Sequence, residues 1–445
     1  MTFIFSLLHK LAALKYNLLA LGYVSLHFVF IALLGRLFGA SSESDVYFLA
    51  LTIVAYLGHL VQAVWKAWTP WYVERLKQDR READKLYALL MVWITAASLA
   101  IIGVYALVRS VLLAQNFIWH PEVQDGLFEF LDVFIAFLLI QNLIYINREY
   151  LTLHGYYSMY YAVDILASVL KIIGVWWMWE SPNVHDLAWI MLAAYGVGLL
   201  WQWSLILGKL QAKLSWVWHV PDDRVIVWNS SKMKLGSLAY DAKEILLAVV
   251  LTAAGPGIYS LFSYASKFAA VILEVVNAPI MSAFSAKLSH AHEERRYCDI
   301  PPLVKTALSQ TVSLYVLGSL FVYFMMPHIM QVFFGDKFSP DQVDEMRCIF
   351  LLLSGYTMTI VLESPFARAV SLFRYYTYGM NLNFMFGAIM LSGYGILWLL
   401  GRSDDFLIFL GVLVLAQTSN YLLYWLKYHK HLKPRLAASH CREHV

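Results

Sequence analysis

The stretch Asn17–Gly35, NLLALGYVSLHFVFIALLG, holds no Asp, Glu, Lys or Arg and one histidine, His27. A helix of about 20 such residues crosses the roughly 30 Å hydrocarbon core of a bilayer. In lipid each backbone amide must find its partner inside the segment, so a helix is the form this stretch takes. Eleven further apolar runs follow it, and the twelve lie near 17–37, 46–72, 86–114, 127–147, 157–179, 186–208, 236–254, 257–286, 304–333, 346–367, 375–400 and 405–427. The chain is therefore expected to be an all-α integral membrane protein with about 12 transmembrane helices. The segment before Asn17 has no small-residue cleavage site and is expected to be retained.

Composition agrees with that reading. Of 445 residues, 60% are hydrophobic and 14% charged, against about 25% charged in soluble domains. The 26 Phe, 28 Tyr and 16 Trp supply the rings that settle at headgroup level. A net charge of +3 with no charged tail excludes a nucleic-acid partner. Cys298, Cys348 and Cys441 lie too far apart for a zinc or haem spacing, so no metal is expected. No Walker A, HExxH, GxSxG or GxGxxG motif stands in a suitable setting, so ATP hydrolysis is not the expected power source; an H+ or Na+ gradient, the membrane potential or downhill consumption of the product outside are the alternatives, with no cofactor.

The loops orient the spans. With the N-terminus placed in the cytoplasm, 24 Lys and Arg fall on the inner side and five on the outer, while Lys66, Lys171, Lys243 and Lys267 fall within spans. Both termini are expected to be cytoplasmic, in a bacterial inner membrane. The longest connection, around 209–235, divides the spans six and six. The expected domains are an N-terminal lobe over 1–215, a cytoplasmic inter-lobe loop over 216–235 and a C-terminal lobe over 236–445.

The halves echo one another. A shift of about 212 residues brings Tyr47 onto Tyr259 and Arg75 onto Lys287, and LFGASSESDVYFLA meets the region of TAAGPGIYSLFSYA. A shift of 219 brings GYYSMYY onto RYYTYGM. Six crossings per half give both halves one orientation, related by a pseudo-twofold axis along the membrane normal. GRLFGASSESDVYFLA (Gly35–Ala50) and AAGPGIYSLFSYASKFAAVILEVVNAPIMSAFSAKLS (Ala253–Ser289) resemble the junctions after the first helix of each half in the multidrug, oligosaccharidyl-lipid and polysaccharide (MOP) flippase superfamily. The resemblance implies two six-helix bundles enclosing a central cavity that opens alternately to either side, and a transporter rather than an enzyme. Lipid II flippases of this superfamily usually have 14 spans and arginines in the first helix, whereas this first helix carries His27 and no arginine. The expected cargo is therefore an undecaprenyl diphosphate-linked oligosaccharide for O-antigen, capsule or exopolysaccharide. Lipid II, a cation-coupled drug exporter and a membrane polysaccharide polymerase or ligase are the alternatives. Membrane lipids and polysaccharide-assembly proteins are the other expected partners.

Ionisable groups inside spans are costly unless paired or wetted, so they point to candidate sites. Lys267, Lys243 and Lys66 are candidates for holding a diphosphate, with His59 and His27 beside them. Glu274, Asp241, Glu244 and Glu363 are candidates for ion coupling, Glu363 standing just before Ser364 and Pro365. Asp164 and Lys171, two turns apart, form a second-rank pair. For each, the structural alternative is a salt bridge that only ties helices together. Tyr240, Tyr259, Tyr264, Trp65 and Trp68 offer faces for sugars, with packing the commoner use. HAHEERRYC reads as a solvated face, and AGPG (Ala254–Gly257) as a tight turn.

Overall fold

Runs that must satisfy their own amides fold as helices, and the computed structural model, which describes residues 2–113, 121–213, 217–373, 375–402 and 405–440, shows no strand among them. Arg374, Cys441 and Arg442 lie outside the described residues. The chain forms two compact units, Met1–Leu238 and Ala239–Val445. The first holds α1 (Thr2–Phe38), α2 (Ser42–Gln62), α3 (Thr69–Gln78), α4 (Arg80–Leu113), α5 (Pro121–Phe134), α6 (Phe137–Leu153), α7 (Met159–Trp177) and α8 (Val184–Trp203). Helix α9 (Asp223–Ala254) runs across the division. The second unit holds α10 (Ile258–Glu293), α11 (Ile300–Phe334), α12 (Pro340–Leu372), α13 (Tyr376–Leu399), α14 (Phe406–Lys427) and the short α15 (Lys433–His440).

Among the described residues ten helices are long and apolar enough to cross a membrane, and counting the bent pair α5–α6, angled by 49°, as one broken span brings the number to eleven. The expected span over 236–254 lies in α9, where Asp241, Lys243 and Glu244 keep it from qualifying on composition. About twelve crossings, all helical, make this a multi-pass membrane protein. Side chains such as Leu107 (80% exposed), Leu317 (63%) and Leu399 (77%) point outward from these helices. Exposed leucines in such number suit contact with lipid rather than water.

Two sequence expectations change. The run over 46–72 is not one helix: α2 ends at Gln62, residues 63–67 form a turn, and α3 begins at Thr69 with Pro70 in its first turn. The expected loop over 216–235 is helical from Asp223 onward. Helix α12 continues through Pro365 without interruption.

The junction after α1 owes its shape to local chemistry. Gly39 takes φ +62°, which ends α1. Ser41 caps α2 in a capping box with Ser44, whose Oγ donates to Gly39 O at 2.9 Å. In the AGPG turn, Gly257 takes φ +86° and starts α10.

Helix pairing repeats between units. In the first, α2 packs on α4 and α6, α6 on α4 and α8, and α7 on α8. In the second, α10 packs on α11 and α12, α12 on α11 and α14, and α13 on α14. Apolar burial gives little drive for helix association in lipid, so close packing over small residues carries more of it. A Cβ at Gly198 would come within 2.7 Å of Val163 Cγ1, and one at Gly387 within 2.9 Å of the Ala239 carbonyl oxygen.

Candidate functional site

Each unit has a polar centre of its own. In the first, Gln141, Tyr145 and Arg148 recur on one face of α6. Tyr160, Tyr161 and Asp164 come from α7, Tyr195 from α8 and Tyr23 from α1, and these residues line a cavity of about 310 Å³. Arg148 Nη2 donates to Asp164 Oδ2 at 2.8 Å, while its guanidinium lies 5.6 Å from the Tyr145 ring centre and 5.2 Å from that of Tyr160. The guanidinium Nε is buried without a hydrogen-bond partner among the described residues, and so is Gln141 Oε1.

Asp164 is hydrogen-bonded by Arg148, a residue that the sequence places in an inner loop, and also lies near enough to Lys171 to feel its charge. Lys171 is 2% exposed and lies over the rings of Phe30 at 4.5 Å and Tyr195 at 5.3 Å. His27, half-buried on α1, stacks on Tyr23 at 5.9 Å, next to the cavity.

In the second unit, Lys243 is buried on α9, paired with Glu244 at 3.0 Å and lying over the Tyr240 ring at 4.0 Å. Tyr240 meets the Tyr356 hydroxyl at 2.8 Å and donates to Gln417 Oε1 at 3.3 Å, and Gln417 Nε2 donates to Glu363 at 2.6 Å. This chain of hydrogen bonds joins α9, α12 and α14. Asp241 is half-buried and Glu274 exposed. Lys267, half-buried on α10, is near enough to feel the charges of Glu244 and Glu274. It makes no hydrogen bond or ion pair within 4 Å among the described residues.

Two candidates stand apart. Lys66 is exposed in the turn after α2, with its ammonium 5.6 Å from the Trp65 ring centre, and His59 is half-buried on α2. The rings of Trp65, Trp68, Tyr259 and Tyr264 are core packing, at most 4% exposed. Trp68 Nε1 also donates to Glu149 at 2.7 Å. Among the described residues no group of His, Cys, Asp and Glu is arranged to hold a metal.

Just outside the spans, Tyr72 on α3 and His154 after α6 share a 2.7 Å hydrogen bond. Burial raises the Tyr72 hydroxyl above its usual range. Burial, and then the Arg80 guanidinium, lower His154, against an opposing pull from Asp84. Beside them Tyr150 donates to Asp84 at 2.8 Å and stacks on Tyr87 with ring centres 4.1 Å apart.

Sequence reasoning missed Arg148, Gln141, Tyr145, Tyr356 and Gln417. Gln141 and Gln417, polar amides inside apolar runs, were the available signal.

Comparison with known proteins follows the same lines. The profile of the lipid II flippase MurJ family matches residues 34–373. The fold is similar to that of lipid II flippase MurJ in an inward closed conformation, with TM-score 0.72, 15% identity, and 93% of this chain and 90% of that one covered. It is also similar to an inward-facing MATE family multidrug transporter of the MOP superfamily (TM-score 0.75, 14% identity, 93% and 95% covered). A MOP superfamily transporter from Pyrococcus furiosus gives TM-score 0.58 at 14% identity, with 95% and 92% covered. No curated protein matches the chain. Identities this low show the fold alone, and the family rests on the profile match, which takes in most of the chain and the Gly35–Ala50 junction. This chain, a transporter and not an enzyme, belongs to the lipid II flippase MurJ family.

Proposed function

We propose that this protein flips an undecaprenyl diphosphate-linked glycan from the cytoplasmic to the outer leaflet of a bacterial inner membrane, by alternating access, for cell-surface glycan assembly. The observation that carries the reading is Lys267, a half-buried ammonium without an ion-pair partner among the described residues of a lipid-linked flippase family member. An ammonium on an apolar helix with no carboxylate in direct contact costs several kcal/mol unless an anion or water meets it, and a diphosphate is such an anion. Lys243, paired with Glu244, is the second phosphate partner in this reading. Glu363, with Asp241, Glu244 and Glu274, supplies carboxylates for ion coupling.

The lobes over 1–215 and 236–445, joined through 216–235, are the moving parts in this reading. The excess of inner-side Lys and Arg favours cytoplasmic termini. Two cargoes share the carrier chemistry. The family profile favours lipid II, and the apolar stretch Asn17–Gly35, which carries no arginine although α1 continues through Arg36, favours a surface-polysaccharide repeat unit.

The test is flipping of labelled lipid II and of a labelled undecaprenyl diphosphate oligosaccharide in vesicles, with wild type and a folded Lys267→Ala variant. The cargo moved by wild type, and not by the variant, identifies the substrate. Failure on both lipids, with expulsion of a cationic dye in exchange for H+ or Na+, would replace this reading with drug export.

A further inference from the structure

The cavity of the first unit is not used by the phosphate-binding reading, yet it carries the marks of a built site. Its walls are aromatic, with Tyr23, Tyr145, Tyr160, Tyr161 and Tyr195 around the Arg148–Asp164 pair. Two of its lining residues carry a buried polar atom without a hydrogen-bond partner among the described residues, the donor Arg148 Nε and the acceptor Gln141 Oε1. Each unmet group costs about 1–3 kcal/mol, so the site is complementary to something that both accepts and donates. Hydroxyl groups do both. A charge pair held together inside the cavity offers donor and acceptor at once and calls for no net charge on the ligand. Tyrosine faces suit the apolar C–H face of a pyranose, and at 310 Å³ the cavity stands at the small end of the roughly 300–1,000 Å³ of ligand sites. That is room for one ring and not for an oligosaccharide.

We infer that this cavity is a subsite for a single sugar ring of the cargo's headgroup, the ring packed on the tyrosines and its hydroxyls bonded to Arg148, Asp164 and Gln141. The inference rests on the glycan-flippase reading for the word cargo, and on the cavity alone for the sugar.

The test uses the full-length protein in a sugar-free detergent, with saturation-transfer NMR on the methyl glycosides of glucose, galactose, N-acetylglucosamine and glucuronic acid. Gln141→Leu removes the unmet acceptor. Tyr160→Leu removes a stacking face that is 51% exposed, so it leaves the fold standing. Wild type is expected to bind at least one glycoside saturably, and each variant to bind it about tenfold more weakly at unchanged melting temperature. No saturable binding of any glycoside, or equal binding by all three proteins, overturns the subsite. A parallel flipping assay keeps the two readings apart. If wild type binds sugar through Gln141 and Tyr160 yet moves no diphosphate lipid, the subsite stands and the flippase reading falls. If it flips undecaprenyl diphosphate glycans and the variants flip them equally well, the flippase reading stands and the subsite falls.

Discussion

Arg148 on α6 and Asp164 on α7 meet at 2.8 Å, with only 9% and 16% of their side-chain surface exposed. Two charges so placed have given up most of their solvation, and what holds them is each other. Removing one leaves the other stranded. Arg148→Leu is therefore expected to cost about 3–5 kcal/mol, and the double variant Arg148→Leu/Asp164→Leu to recover most of it. Thermal unfolding of the purified proteins checks this, and equal melting points for single and double variants would contradict it.

The burial of His154 makes stability depend on pH. His154 is lowered in the fold, first by burial and then by Arg80, so the unfolded chain takes up its proton at a higher pH, about 6.5. Between the folded and unfolded values the unfolded state binds more protons, and stability rises with pH there. The contribution is whole above about 6.5 and is lost as pH falls through the folded value. Melting temperature measured from pH 7.5 down to 5 should decline in wild type and decline less in His154→Gln.

Two glycines separate side-chain from backbone crowding. A Cβ at Gly198 would press on Val163, a side chain able to shift, whereas one at Gly387 would press on the Ala239 carbonyl, which is backbone. Gly198→Ala should cost about 1–3 kcal/mol and be relieved by Val163→Ala. Gly387→Ala should cost more and find no relief at Ala239. Yields of folded protein and melting points give the comparison.

Lys267 and Lys85 differ in what they lack. Lys85 is exposed and paired with Glu82 at 2.6 Å, while Lys267 has no such partner among the described residues. A charged hydrogen bond to a phosphate is worth about 1.5–3 kcal/mol. Lys267→Ala should then slow initial flipping of a diphosphate lipid by about tenfold or more, and Lys85→Ala should leave it unchanged within about twofold. Fluorescence-quench flipping assays at matched reconstitution levels decide it.

Much of the fold was legible because lipid imposes one rule on the backbone, and runs such as Asn17–Gly35 obey it. The break after Gln62 was not. Its freed backbone groups are met by α9, with Ala67 N–H donating to Ser230 Oγ at 2.9 Å and Ser231 Oγ donating to Ala63 O at 3.3 Å. Partners more than 160 residues away leave no local mark, although Pro70 in the first turn of α3 did signal a helix start. Arg148 escaped for a different reason. An apolar run judged to end at residue 147 hands the next residue to the loop, while the helix itself continues to Leu153. The intramembrane lysines were visible by composition, but whether each is neutralised, as Lys243 is by Glu244, depends on rotamers that spacing does not fix.

Helix α6 spans only Phe137–Leu153, yet it presents Gln141, Tyr145 and Arg148 to the cavity on successive turns. Each residue of a helix advances its side chain by about 100°, from 3.6 residues per turn. A single insertion or deletion between Gln141 and Arg148 would swing one of them off the cavity, whatever residue it added or removed. Over this half-span, descendants of the gene are free to drift in spelling and are held to a fixed length.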